Sequence, residues 1–184
     1  MTRVTMQIIA KHTDERVLPL EDKAIIKRNA ARAIALDGDE ILLMYTARYD
    51  DYSLPGGGMD EGETPEQAMI RELEEETGAQ QIRDIRPFGC FEEYRPWYRD
   101  GADVMHMLSY CFYCRVDRDL GTPTFEHYEI NNGMRPVWVS IDHAIAHNKA
   151  VMANSEKAGQ SLVRETMLLE MIAQQRENTQ QATA

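Results

Sequence analysis

Four glutamates crowd one short stretch of the chain: Glu72, Glu74, Glu75 and Glu76. Glu72, Glu75 and Glu76 are spaced i, i+3, i+4, which puts them on one face of a helix. Like charges so placed repel by roughly a few tenths of a kcal/mol per pair. They also fall in a last helical turn, where the macrodipole favours cations. A sequence selected for helix stability alone would avoid both penalties. A hard divalent cation on the carboxylates would remove them, and oxygen-only ligands select Mg²⁺ or Mn²⁺ over zinc. The plainer alternative is a solvated acidic face on which Arg71 pairs with Glu75 at i+4.

The stretch that must present these groups runs from Leu54 to Ala79. It opens on a glycine-rich turn, Gly56-Gly57-Gly58, and passes through Asp60, Glu61 and Glu63. Thr64 is a good N-cap, Pro65 suits the first helical position, and Gln67 completes a capping box. Gly78 is the natural stop. The pattern predicts a helix over Pro65 to Thr77, with Met69, Ile70 and Leu73 on its apolar side.

The spacing Gly57, Glu63, Arg71-Glu72-Leu73, Glu75-Glu76, Gly78 resembles the signature box of the Nudix hydrolases. With Leu73 counted only as aliphatic, the remaining seven fixed identities at about 1 in 20 each make a chance match on the order of one in a billion per start position. The one departure is Ala79, where the family usually carries a larger aliphatic residue. The resemblance implies an α/β/α sandwich with a mixed sheet, holding a metal-dependent pyrophosphohydrolase site. It implies Glu72, Glu75 and Glu76 as ligands of Mg²⁺ or Mn²⁺, with the Gly57 carbonyl beside them because a glycine turn lets the backbone approach closely. Glu63 and Arg71 then support the ligands, and Arg71 serves catalysis by orienting a box carboxylate. Family members place the general base either in the box or on a later glutamate. Outside the box Glu126 and Glu129 are the candidates, and Glu129 is favoured.

Composition agrees with one soluble globular domain: 184 residues, 43% hydrophobic and 28% charged. No apolar run approaches a membrane span and the N-terminus lacks signal-peptide layout, so the chain reads as cytoplasmic. A net charge of -11 argues against a nucleic-acid partner. It suits a phosphate substrate only where metal ions neutralise the charge. Three cysteines are no disulfide framework. Cys111 and Cys114 fall in a strand-like run, where i and i+3 face opposite ways, so they read as buried thiols.

Along the chain, residues 1–26 read as an extension, either a small hairpin or a segment pairing with a second subunit in a homodimer. Strands are predicted at Asn29 to Leu36 and Ile41 to Thr46 around an Asp37-Gly38 turn. Further strands are predicted near Ile82 to Ile85, Phe88 to Tyr94, Met105 to Val116 and Pro136 to Ser140. Phe125 to Asn132 reads as an acidic loop. Helices are predicted after Ser140 and from Ser161 to about Gln175, and residues 177–184 as a disordered tail. His143 and His147 are i, i+4 with no third ligand evident, so they read as surface residues. This order gives a single domain over residues 1–176.

The substrate implied is a nucleoside diphosphate linked to another moiety: a nucleoside triphosphate, an ADP-ribose-like molecule or a dinucleotide polyphosphate. Arg48, just before the box, and the loop carrying Arg95, Trp97 and Tyr98 are the candidate contacts, since arginines pair with phosphates and aromatics stack on bases. Pro96 lies near the position where ADP-ribose-preferring subfamilies carry proline. Tyr94 and Tyr98 lie near the tyrosine of those preferring diadenosine polyphosphates, so neither rule decides. A catalytically silent nucleotide-binding sensor is the alternative, but such domains typically lose box carboxylates. A prenyl diphosphate isomerase would depart from the box, which this chain keeps.

Overall fold

Ile25–Asp37 places Ala31, Ala33 and Ala35 on one side and Ile34 on the other, all buried. Burial on both faces is the mark of a central strand. In the computed structural model, which describes residues 6–182, it is β2 of a mixed eight-stranded sheet. The other strands are β1 (Ile8–Thr13), β3 (Glu40–Thr46), β4 (Asp51–Ser53), β5 (Gly56–Gly58), β6 (Arg83–Pro96), β7 (Val104–Arg115) and β8 (Met134–Ser140). The α-helices are α1 (Pro65–Thr77), α2 (His127–Asn132), α3 (Ile141–Asn154) and α4 (Leu162–Ala182).

The strands run β1-β6-β7-β2-β3-β4, with β5 added to β2 and β8 to β3. β1 lies parallel to β6 and β2 parallel to β7. β2 and β3 share only the pairs Leu36–Ile41 and Asp37–Glu40, beside their turn. The glycine strand β5 pairs with β2 at Ala30, Ala31 and Arg32 instead. α1 covers one face, where Ala68, Met69 and Leu73 meet Ala31, Ala33 and Phe112. α3 and α4 cover the other, where Ile141, Leu168 and Leu169 meet Ile34, Phe91 and Cys111. This is the α/β/α sandwich with a mixed sheet that the resemblance implies. Cys111 and Cys114 sit in the opposite cores, as strand alternation requires.

Several boundaries differ from the sequence reading. The two strands expected around Pro87 are one strand, β6, with register shifts between Arg83 and Arg86 and between Pro87 and Gly89. A proline inside a strand marks a bulge here, not an end. The described part of the N-terminal segment forms no hairpin, because β1 adds in parallel to β6 of the same chain; residues 1–5 lie outside the described residues. The tail expected to be disordered is helical through Ala182. Polar composition there marks exposure, and Gln and Glu are good helix formers. His147 is half-buried and bonds the Asp50 carbonyl at 2.8 Å, so only His143 is a surface residue.

Side chains from α3 and α4 hold the segment that delivers the glycine turn. The Asn148 amide brackets Tyr52, accepting from its N–H and donating to its carbonyl, both at 2.9 Å. The Leu54 N–H donates to Glu165 Oε2 at 2.9 Å. Arg164, with a side chain 3% exposed, ties Glu165 to Glu93 of β6 by contacts of 2.8 and 2.7 Å. Asp51 lies against this group, and burial, then the Glu165 charge, pushes its carboxyl up to about 6.

The fold therefore favours protonated Asp51. The native state holds a proton that the unfolded state releases between the ordinary value of 3.8 and about 6. Stability from this group is present at low pH and lost as pH rises through that window. Asp51→Asn should leave stability nearly unchanged at pH 4 and raise it by about 1–3 kcal/mol at pH 7.5. Urea unfolding at the two pH values checks this. An equal effect at both would show that Asp51 titrates normally.

Candidate active site

The capping box, the proline and the glycine stop set α1 as predicted. Thr64 Oγ1 accepts from Gln67 N–H at 3.2 Å, Gln67 Oε1 accepts from Thr64 N–H at 2.9 Å, and Gly78 is left-handed. Met69, Leu73 and Glu76 follow one another at helical spacing, so Glu76 shares the buried side of the helix and is only 4% exposed. Its Oε2 accepts from Gly56 N–H at 2.7 Å, which pins the helix to the glycine turn. At Gly57 the approach is closer still: a Cβ there would lie 2.7 Å from the Glu72 carboxylate. A side chain at Gly57 would therefore displace the Glu72 carboxylate from the turn.

Arg71 gathers the remaining acids. It holds Glu63 through two bonds of 2.7 and 3.0 Å, Glu72 at 2.8 Å, Glu75 at 3.2 Å and the Gly58 carbonyl at 3.0 Å. Glu63 also accepts from Asp60 N–H, and these partners, Arg71 first, pull its carboxyl down to about 2. Glu76 moves the other way. Burial, and behind it the charges of Glu72 and Glu129, push it up to about 8. Burial likewise raises Glu72 against the pull of Arg71.

The loop after β7 lies along the end of α1. Gly121 N–H donates to the Gly78 carbonyl at 2.8 Å and Thr124 N–H to the Glu75 carbonyl at 2.7 Å. These bonds satisfy helix-end carbonyls and aim the next segment back at the acids. That segment, expected as a loop, makes the short helix α2. Glu129 on α2 is 5% exposed, and Glu126 is exposed. Glu129 Oε2 accepts from Glu126 N–H at 2.6 Å. Burial raises its carboxyl, with Glu126 and Glu75 adding repulsion, so it lies within the field of the box acids. Tyr128 beside it, which sequence reading missed, is 58% exposed and also feels the Glu76 and Glu72 charges.

The candidate substrate contacts separate. Arg48 bonds Asn132 at 3.1 Å and lies over Tyr49, at the far end of α2. Tyr98 is 80% exposed at the β6–β7 tip. Arg95 and Pro96 belong to β6, and the Arg95 side chain is only 15% exposed. Trp97 is half-buried and packs on Ala30, Met105 and Met107. Sequence reading missed Arg28 and Arg32, although alternation along β2 from buried Ala30 puts both on the face that holds Trp97.

The donor set fits a hard divalent cation. It is all oxygen, its buried carboxylates repel one another, and Gly57 leaves its backbone open toward Glu72. Among the described residues, no three histidine, cysteine, aspartate or glutamate groups already stand as a ligand set. Glu72 and Glu75 are turned onto Arg71, which meets the charge a cation would meet.

The NUDIX domain profile matches residues 26–159. The chain belongs to the Nudix family. It is 46% identical over 89 residues to an RNA pyrophosphohydrolase of Nitratiruptor sp., covering 44% of this chain and 57% of that one. It is 34% identical over 110 residues to the diphosphoinositol polyphosphate phosphohydrolase 3-alpha of Mus musculus, covering 58% of each. These matches span little more than half the length of either relative. A NUDIX hydrolase from Nitrosomonas europaea has the same fold, with a TM-score of 0.51 and 22% identity over 80% of this chain and 90% of that one. Among the described residues no helix is long and apolar enough to cross a membrane.

Glu76→Gln keeps an oxygen to accept from Gly56 N–H and removes the charge. It should weaken Mn²⁺ binding by calorimetry more than tenfold and leave the far-UV circular dichroism spectrum unchanged. Undiminished Mn²⁺ affinity would remove Glu76 from the ligand set.

Proposed function

We propose that the protein is a divalent-cation-dependent pyrophosphohydrolase that cleaves the phosphoanhydride of a nucleoside diphosphate linked to another moiety. The observation that supports this reading is that Glu72, Glu75 and Glu76 share one end of α1 with the Gly57 backbone against Glu72, while buried Glu129 of α2 feels the charges of the box acids. Relatives named as a pyrophosphohydrolase and as a phosphohydrolase of a diphospho compound support the reaction class. The ion is Mg²⁺ or Mn²⁺, by ligand hardness.

Glu72, Glu75, Glu76 and the Gly57 carbonyl are the residues that would hold the cation. When bound, it supplies positive charge for the phosphoryl oxygens. The chain's own residues do the rest. Gly56 and Glu76 fix the turn against the helix, so the ligand oxygens start from set positions. Arg71 and Glu63 form a rigid pair that holds Glu72 and Glu75 in orientation. Glu129 accepts a proton from water as the water oxygen bonds to phosphorus and the anhydride P–O bond breaks. Its raised affinity for a proton suits that task; Oε2 takes the Glu126 N–H, and Oε1 has only the long contact of 3.4 Å from the Tyr128 hydroxyl.

A hydrolysis panel with Mg²⁺ or Mn²⁺ tests the reading. It would hold nucleoside triphosphates, oxidised nucleotides, ADP-ribose, nucleotide sugars, NADH, diadenosine polyphosphates and CoA, with EDTA and the Glu76→Gln protein as blanks. A metal-dependent hit absent from both blanks is expected. On that substrate Glu129→Gln should lower kcat about 10²- to 10⁴-fold with little change in KM. Nucleotide binding without turnover anywhere on the panel would favour a sensor instead.

A further inference from the structure

The sheet face under α4 changes character along its length. Where α4 covers it, it is apolar, with Ile34, Phe91 and Cys111. Toward the β6–β7 tip it becomes basic. β2 contributes Arg28 and Arg32, β6 contributes Arg95, and the tip contributes Arg99. Trp97 supports three of them: the Arg28, Arg95 and Arg99 guanidiniums lie 5.1, 5.7 and 5.7 Å from its ring centroid. Three cations on one ring are more than cation–π attraction requires. They commit Trp97 to positioning arginines in preference to stacking on a base.

Two further observations point to a ligand. The first is an imbalance of hydrogen-bonding groups. Arg32 Nε, Arg95 Nε, Trp97 Nε1 and Ser109 Oγ are buried on this face without a hydrogen-bond partner, against one such acceptor, Glu93 Oε1. Buried donors in native proteins find acceptors. The nearest carboxylate to Arg95 Nε is Glu93 Oε2, at 3.8 Å, and that oxygen already takes Arg164 at 2.7 Å. The second is charge. Arg28, Arg32 and Arg164 all repel Arg95, in a chain whose net charge is -11. Among the described residues Arg28, Arg32 and Arg99 make no ion pair, and Arg95 makes only the 3.8 Å approach to Glu93.

The cluster also adjoins the carboxylate site. Arg32 Nη1 donates to the Gly56 carbonyl at 2.7 Å, and Gly56 N–H is the group that pins Glu76. A substrate whose anhydride lies at the box acids therefore extends along β2 toward Arg28 and Trp97. We propose that Arg28, Arg95 and Arg99, gathered by Trp97, form with Arg32 a second phosphate subsite, so that the substrate carries phosphate groups beyond those flanking the bond that is cut. This rests on the phosphoanhydride reading of the carboxylate site. Several planar guanidiniums suit the charge and multiple oxygens of a phosphate, and lysines would be poorer at it.

The test is a calorimetric titration of inorganic tripolyphosphate into Glu76→Gln protein in metal-free buffer, where the box acids repel the anion and hydrolysis is off. Binding is expected. It should weaken at least tenfold when Arg28 and Arg99, both exposed, are changed together to alanine. The control, Arg83→Ala with Arg115→Ala, removes the same charge at the other end of β6 and β7 and should bind as the parent does. No binding by the parent, no loss in the Arg28/Arg99 variant, or an equal loss in the control would each overturn the subsite. Orthophosphate binding as tightly as tripolyphosphate would overturn its assignment to substrate, leaving a site for free phosphate. Hydrolysis is read separately. Tripolyphosphate binding that follows the arginines, with no turnover across the panel, would sink the hydrolase reading and leave the anion subsite standing.

Discussion

The candidate site depends on one bond, from the Gly56 N–H to Glu76 Oε2, in the seam between α1 and the glycine turn. A carboxylate buried this deeply is unfavourable unless something meets its charge. A single backbone donor is too little, which is why burial drives the Glu76 carboxyl up to about 8. The glycine turn cannot move away to relieve it. Gly56 is fixed at φ 144 in a ladder with Arg32, and a Cβ there would lie 2.0 Å from the Ala31 carbonyl oxygen. Behind the turn, Glu165 of α4 holds Leu54 and Asn148 of α3 holds Tyr52. Helices on one face of the sheet thus fix the backbone that meets a helix on the other.

Arg71 meets the charge problem at the mouth of the site as Gly56 N–H meets it in the interior. Its guanidinium reaches Glu63, Glu72 and Glu75 together, a geometry that a lysine could not reproduce. Glu63 is the only one of the three that Arg71 binds with two nitrogens, and it is the carboxyl pulled furthest down. The arrangement sets Glu63, held firmly ionised, against Glu72 and Glu76, whose carboxyls burial pushes up. Glu72 and Glu76 gain most from an added cation, and both are among the ligands that the box implies.

The sequence made α1 fully legible because everything that sets it is local. Thr64, Pro65, Gln67 and Gly78 mark its ends, and the acids are read by counting. Alternation also gave the opposite burial of Cys111 and Cys114. What escaped was long-range. Glu129 and Glu126 look alike in sequence, and only the bonds from Gly121 and Thr124 to the end of α1 turn one inward and leave the other exposed. Arg164 and Glu165 sit within an apolar helical stripe, and their burial requires Glu93 from a strand over seventy residues earlier. The polar end of α4 was read as disorder because composition reports what a segment buries, not whether it continues a helix already nucleated. Arg95 reads as loop in the sequence because it opens a run rich in arginine and aromatics, whereas pairing with β7 continues β6 through Pro96.

The same buried ion network links the two halves of the sheet face. Arg164 joins Glu93 on β6 to Glu165 on α4, and Glu165 in turn holds Leu54. Arg32 and Arg95 border this network from two different strands, and both feel its charges. Arg164 stays ionised despite complete burial because Glu165 and Glu93 outweigh the cost of desolvation. A buried triad of this kind is weak evidence for stability, since apolar residues of equal volume would often serve as well. What apolar residues could not supply is a fixed array of charge under the face that leads from the carboxylates to Trp97. One unpaired donor on that face follows from the same arrangement: Glu93 Oε2 and Glu165 Oε1 take Arg164 and Glu165 Oε2 takes the Leu54 N–H, so Arg95 Nε is left 3.8 Å from Glu93 Oε2.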